Sequence, residues 1–328
     1  MKKSVNVIVT IMLITILFLI SSCTGIGGKT PAGDQPLDTA AAIQMVKTGT
    51  QGVISRFTTN YPPSTIYDQN ELIALIEVEN KGNYDLQTQE CFVQISGFDP
   101  NIITGGFEQP RSCAEGINIL EGKNIYNVQG DSNQIEFRSS SVTLPTGVFE
   151  YTPNLNLLSC YHYHTYANPM VCVDPLFYQI ASQQKSCIPQ NVAEAGGQGA
   201  PVGVSSVGVD MIGGGSSGAS KAVFEINVQN FGSGRVLSPY SDLRSCGNVG
   251  LEYTDLDKVA YSVELSGGSL IDCKPRDGFV RLTNGRGKIV CSFNIHGSGA
   301  YETPLMVDLD YNYIESSQLP LRIVKTPS

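Results

Sequence analysis

The chain has 328 residues, with 30 acidic side chains against 21 basic ones, a formal net charge of −9 and no tryptophan. Its lysines and arginines are scattered rather than gathered into a stripe. That disfavours nucleic-acid binding, because displacing phosphate counterions needs clustered positive charge.

Lys2 and Lys3 precede an uncharged stretch from Ser4 to Gly28, in which Val5 to Ile20 is almost continuously apolar. A hydrocarbon core about 30 Å thick takes roughly 20 apolar residues in a helix. This N-terminal hydrophobic helix therefore falls between a signal-peptide h-region and a spanning anchor. The run closes Ile20-Ser21-Ser22-Cys23, which resembles a bacterial-type lipobox; the resemblance implies cleavage before Cys23 and a lipid on it. Lipidation at Cys23, retention as an uncleaved anchor, and simple secretion all stay open. In each, the lysine pair stays inside and the remainder is exported. We read 1–23 as the signal or anchor segment, the membrane as its partner, and the cell envelope as the location. Residues 24–48 are Gly/Thr/Ala-rich and read as a flexible linker, with Asp38 placed to cap a short helix over Thr39–Val46.

Beyond the linker the signal is a duplication. Ala74-Leu-Ile-Glu-Val-Glu-Asn80-Lys-Gly82 matches Phe224-Glu-Ile-Asn-Val-Gln-Asn230-Phe-Gly232, and Leu155 to Tyr163 matches Leu305 to Tyr313, at one common offset. Val93-Gln-Ile-Ser-Gly97 matches Val263-Glu-Leu-Ser-Gly267 at a larger one, so the second copy carries an insertion that contains Cys246. Each segment alternates with period two: Ala74, Ile76 and Val78 lie on one face, and Leu305, Val307, Leu309, Tyr311 and Tyr313 on another. A strand with one side on a core and one in water needs this pattern. By the same parity, Tyr161, Tyr163, Tyr311 and Tyr313 belong to the core or its edge rather than to an exposed binding stripe. Asn and Gly closing both early strands suit a turn. Ala193 to Gly199 marks a junction, and the run Gly213 to Ser220 reads as a loop between two strands. The prediction is an all-β fold of two tandem sandwiches, 49–190 and 191–328.

The order of strand, Asn-x-Gly, strand ending in Ser-Gly and late Tyr-x-Tyr strand resembles the immunoglobulin-like domains of prokaryotic surface proteins. The nearest named family is the cell-adhesion-related domain found in bacteria. Val78-Glu-Asn80-Lys-Gly82 and Val228-Gln-Asn230-Phe-Gly232 carry the likeness, and Phe98 to Ile103 and Gly197 to Val202 resemble stretches of archaeal surface proteins. The resemblance implies immunoglobulin-like sandwiches and a role in adhesion or display, with no ligand named.

Apart from Cys23 there are eight cysteines: Cys91, Cys113, Cys160, Cys172, Cys187, Cys246, Cys273 and Cys291. In an exported chain an even set reads as a disulfide framework. Zinc is disfavoured, because no C-x2-C pair exists. Cys273 and Cys291 flank two short β runs around Asn284-Gly285, and a hairpin there would join them. Cys91 with Cys113 follows from nearness in sequence. Each side of a boundary near residue 190 has an odd count, so we expect a bridge across it, from Cys160, Cys172 or Cys187 to Cys246.

The remaining chemistry is weak. Gly214-Gly-Ser216-Ser-Gly218 fits the nucleophile-elbow pattern, with Asp272 and His296 downstream, but a strand follows it where the elbow needs a helix. Cys160, His162 and His164 share one strand face and bear metal-ligating groups, yet the repeat replaces the histidines by Asn312 and Ile314. Asp68, Asn70 and Glu71, and separately Asp308 and Asp310, lack the glycine-centred loop of a calcium site. No Asn-x-Ser/Thr sequon occurs. We therefore expect no catalytic or metal residues, no cofactor and no enzymatic activity. The expected function is a membrane-anchored surface protein that meets a protein or polysaccharide partner. The alternative is a ligand-binding or assembly subunit of an envelope transport or secretion complex.

Overall fold

The computed structural model describes residues 39–178, 185–194, 197–213, 220–245, 251–297 and 299–327. The apolar leader, Cys23, Ser216 and Cys246 lie outside them. Among the described residues no helix is long and apolar enough to cross a membrane. The helix expected from Thr39 forms as α1 (Thr39–Lys47). The rest is strand, turn and loop, with a single 3-10 turn described at Tyr253–Asp255.

Each repeat contributes a front sheet. In the first copy it is β1 (Val53–Phe57), β3 (Leu72–Asn80) and β8 (Ser132–Ser139), in the order β1-β3-β8. In the second it is β12 (Val192–Ala193), β13 (Val202–Ile212), β14 (Lys221–Asn230), β19 (Arg286–Ile295) and β17 (Gly268–Lys274), in that order. Behind them runs an eight-stranded sheet. Its path is β18 (Phe279–Arg281), β16 (Lys258–Leu265), β20 (Tyr301–Pro320), β10 (Asn154–Ala167), β5 (Cys91–Ser96) and β6 (Arg111–Ser112). β11 (Met170–Val173) and β15 (Arg235–Leu237) also pair with β20. Two small sheets complete the set. In one, β21 (Arg322–Val324) runs parallel to β2 (Thr65–Tyr67) and antiparallel to β9 (Glu150–Tyr151). The other pairs β4 (Leu86–Gln87) with β7 (Ile119–Leu120).

Alternation decides what lies between the layers. Leu72, Ala74, Ile76 and Val78 of β3 are buried, as are Ala222, Phe224, Ile226 and Val228 of β14. They pack into a core with Phe137, Phe293, Leu305, Val307 and Leu309. Tyr161, Tyr163, Tyr311 and Tyr313 are fully buried, and burial drives their phenols well above the ordinary range, so they stay neutral.

The two halves meet within the back sheet. β10 and β20 pair antiparallel along the whole of β10, from Asn154↔Pro320 to Ala167↔Val307. Tyr161 faces Tyr313 and Tyr163 faces Tyr311; between them His162 faces Asn312, its own repeat mate. The seam is thus a pseudo-twofold contact, in which each copy presents the same strand to the other, as in an isologous dimer. In consequence Thr39–Ser328 form one compact unit.

The hairpin expected around Asn284-Gly285 forms differently. Both residues take positive φ, 52° and 73°, as a tight Asn-Gly turn requires. The run before it, β18, instead crosses to the back sheet and pairs with β16, where Val280 is buried. β17 takes its place beside β19, and Cys273 falls directly opposite Cys291.

Candidate functional site

The Asn-x-Gly and Tyr-x-Tyr signals prove to be one structure, built twice. Asn80 Oδ1 accepts from the Tyr163 hydroxyl at 3.1 Å, and Asn80 Nδ2 donates to the Tyr84 carbonyl at 2.7 Å. Asn230 Oδ1 accepts from the Tyr313 hydroxyl at 2.8 Å, and its Nδ2 donates to the Gly234 carbonyl at 2.9 Å. The amides of Tyr84 and Gly234 donate in turn to those phenol oxygens. Gly82 and Gly232 are glycine because the rings pass too close: an added Cβ would lie 1.8 and 2.4 Å from the Tyr163 and Tyr313 oxygens. A buried phenol needs a partner, and the turn supplies it.

Three disulfides join pairs of described cysteines and brace the frame. Cys91 is bonded to Cys113, Cys172 to Cys187, and Cys273 to Cys291. Such bonds mark a chain that matures in an oxidising, extracytoplasmic setting. The Cys172–Cys187 bond removes both from the candidates for a bridge to Cys246. Cys160, the third, is itself disulfide-bonded, and Cys246 lies outside the described residues.

On the outer face of the seam the ladder joins two groups that look unrelated in sequence. β10 supplies His162, His164 and Tyr166; β20 sets Asn312, Asp310 and Asp308 opposite them. His162 Nε2 lies 3.0 Å from Asp310 Oδ1, and its Nδ1 lies 3.0 Å from Asn312 Oδ1. Asn312 Nδ2 donates to the Ser241 and Pro239 carbonyls, which fixes the amide with its oxygen toward the ring. Both ring nitrogens of His162 thus face acceptors, and the imidazolium fits best. Burial lowers its pKa, but the bonds to Asp310 and Asn312 outweigh burial, and the net shift is upward. Burial by itself would raise the Asp310 carboxyl; the close approach of His162 and His164 outweighs it and holds the carboxyl well below its usual range. The His164 ring lies 4.3 Å from the Tyr166 ring, tilted 32° to it, and its Nδ1 is 3.7 Å from Asp310 Oδ1.

This arrangement is a charged brace across the seam. Ser262 Oγ donates to Asp308 Oδ2 at 3.3 Å, and among the described residues no histidine hydrogen-bonds to that serine. Among the described residues no three His, Cys, Asp or Glu side chains are arranged to hold a metal. His296, the histidine of the sequence-derived elbow, instead lies near Ser269 Oγ, 3.4 Å from Nε2, on an exposed edge. Asp272 pairs with Arg276, away from any such role. Asp68 is buried under the C-terminal strand, where Lys325 Nζ at 2.5 Å and the Thr326 amide clasp it; they push its pKa down to about 2.

The His162 brace has a definite pH signature. Its folded pKa is raised, so its stabilisation is complete below the unfolded value near 6.5 and is lost as pH rises through the folded value. His162→Gln is expected to lower Tm at pH 5.5 and to change it much less at pH 9, as read by thermal melts at the two values.

No protein-family model matches the chain, and the search of curated proteins found no match. Among solved structures, the secreted serine protease VesC from Vibrio cholerae aligns at 12% identity over 89% of this chain and 54% of that one, with a TM-score of 0.19. The chain spans about half the length of that protein, and a superposition so loose carries no argument about activity. The fold and the sites define an all-β, disulfide-braced protein built of sandwich layers.

Proposed function

We propose that the chain is a non-enzymatic cell-surface protein, held on a membrane by its N-terminal segment, that displays paired immunoglobulin-like sandwiches to a protein or polysaccharide outside. The observation that supports this most is the use made of the duplicated residues. Asn80, Gly82 and Tyr163, with Asn230, Gly232 and Tyr313, join turn to strand inside each copy. Duplication here multiplies a stiff frame, which is what display requires. The Lys2-Lys3 pair, the apolar run and Cys23 supply the attachment.

A second reading, an assembly subunit of an envelope transport or secretion complex, draws on two adjoining hollows of about 930 and 390 Å³ that share Gln89, Phe92 and Arg244. There Arg244 lies over the Phe92 ring and donates to Gln89. Membrane fractionation, the mass of the mature N-terminus and a pull-down from solubilised membranes test both. Display expects a membrane-bound protein that isolates alone and binds cells or polymers. Stoichiometric envelope partners would favour the second reading, and a freely soluble, unmodified product would refute the anchor.

A further inference from the structure

The back sheet reads the same from both ends: β16 lies beside β20 as β5 lies beside β10, and β18 and β6 follow on the outside. Each copy is therefore a control for the other. In the ladder Val263 faces Val307 as Ile95 faces Leu157, the repeat mate of Val307. In the first copy the chain between β5 and β8 seals the flank between back and front sheets. Phe107 is 1% exposed, its ring 5.4 Å from Phe98 and 6.1 Å from Phe137 of β8. Ile102 and Ile103 of the same segment are buried as well. β5 holds this segment, since Gln94 Nε2 donates to the Glu108 carbonyl at 2.8 Å, just before β6 pairs with Phe92 and Val93.

In the second copy the flank is open. The turn at Ser266 and Gly267 leads straight into β17, and among the described strands β17 pairs with β19 alone. Leu270 stands opposite Phe293, on the face that points into the sandwich. Phe293 is 1% exposed there, and Leu270 is 53% exposed. Ile271, set off by a bulge between Leu270 and Asp272, is exposed too. On the back-sheet side β16 pairs with β18 only over residues 258–260, so residues 262–265 have β20 on one side and no described strand on the other. Tyr261 turns its amide outward to the Gly278 carbonyl. By the alternation of an antiparallel strand, Val263 and Leu265 turn theirs the same way. The hollow left between β16 and β17 is about 680 Å³, lined by Val263, Leu265, Leu270, Ile271 and Phe293, with Glu264 and the Asp272–Arg276 pair among its polar groups.

We propose that this flank of the second copy is a docking site for an extended segment of a partner polypeptide, which lies along residues 262–265 and sets a large apolar side chain against Leu270 and Phe293. Two observations select that occupant. A free strand edge offers amides and carbonyls in alternation, and an extended backbone is the ligand that satisfies both. The first copy shows the filled form: a stretch of its own polypeptide runs into β6 along the matching edge, and Phe107 closes the space between the sheets. Strand edges that must stay unpaired are ordinarily blunted by charge, proline or cover. On the opposing rim, residues 268–271 carry neither charge nor proline. The site belongs to the second copy alone and does not rest on the display reading.

The test pans a displayed library of short random peptides on the full-length chain in detergent, then follows amide exchange of the chain with an enriched peptide made synthetically. The enriched peptides are expected to share a large apolar residue, and to slow exchange at the Val263 and Leu265 amides. Leu270→Glu puts a charge at the mouth of the hollow and is expected to weaken binding about tenfold or more. Its Tm is expected to stay near that of the parent, because the side chain it replaces is half-exposed. Should that variant fold poorly, the exchange pattern of the parent chain decides by itself. No enriched peptide would overturn the proposal. So would peptides that bind without slowing those two amides, or that bind a folded Leu270→Glu chain equally well. A concentration-dependent dimer of the chain alone that protects the same amides would assign the flank to a second copy, and would overturn the proposed partner.

Discussion

Tyr163→Ala is expected to cost roughly 3–5 kcal/mol in urea unfolding under oxidising conditions, the range for removing a large buried aromatic. The ring is fully buried, packs edge-on against Tyr84 and Tyr161, and holds Asn80 and the Tyr84 amide through its oxygen. Tyr313→Ala removes the same structure from the second copy and is expected to fall in the same range. Tyr163→Phe separates the two contributions. It keeps the packing and leaves the Tyr84 amide without its acceptor, for about 1–3 kcal/mol. Asn80 Oδ1 still accepts from the Gly82 amide at 3.3 Å, so that side of the turn is partly preserved. If Tyr163→Ala were nearly neutral, the duplicated motif would not be the frame of the fold, and its repetition would need another explanation.

The same residues show how far the sequence can be read. Alternation over Leu72 to Asn80 and over Leu305 to Tyr313 names the buried face of each strand, because the period of a strand is fixed at two. It says nothing of which strand lies alongside. Cys160, His162 and His164 stand out on one strand and Asp308 and Asp310 on another, yet their meeting depends on β10 pairing with β20 across 14 residues of β10. The repeat held the available clue, since two copies that present the same strand can pair about a twofold centred on His162 and Asn312. Leu270 gave no signal by itself. It becomes informative only beside Phe107, when the flank left open in one copy and the flank closed in the other can be compared. The turn at Asn284-Gly285 was legible; the departure of Phe279–Arg281 to another sheet was not, because a three-residue strand fits either neighbour equally well.

Phe293→Ala is expected to cost a further 3–5 kcal/mol or so and, more tellingly, to weaken the first copy as much as the second. Phe293 is buried against Phe224 in the front sheet of the second copy, remote from β3 in the chain. If the copies unfolded separately, amide exchange in β14 and β19 would quicken while β3 kept its protection. The seam argues otherwise. Parting β10 from β20 would break the ladder from Asn154 to Ala167 and bring the rings of Tyr161, Tyr163, Tyr311 and Tyr313 toward water. The loss would exceed what either front sheet recovers by staying folded alone. A single calorimetric transition, shifted as a whole, with β3 amides losing protection together with those of β19, is the expected result. Two transitions, of which only one moves, would mean that the pairing of the two copies is a contact between independent bodies rather than the centre of one.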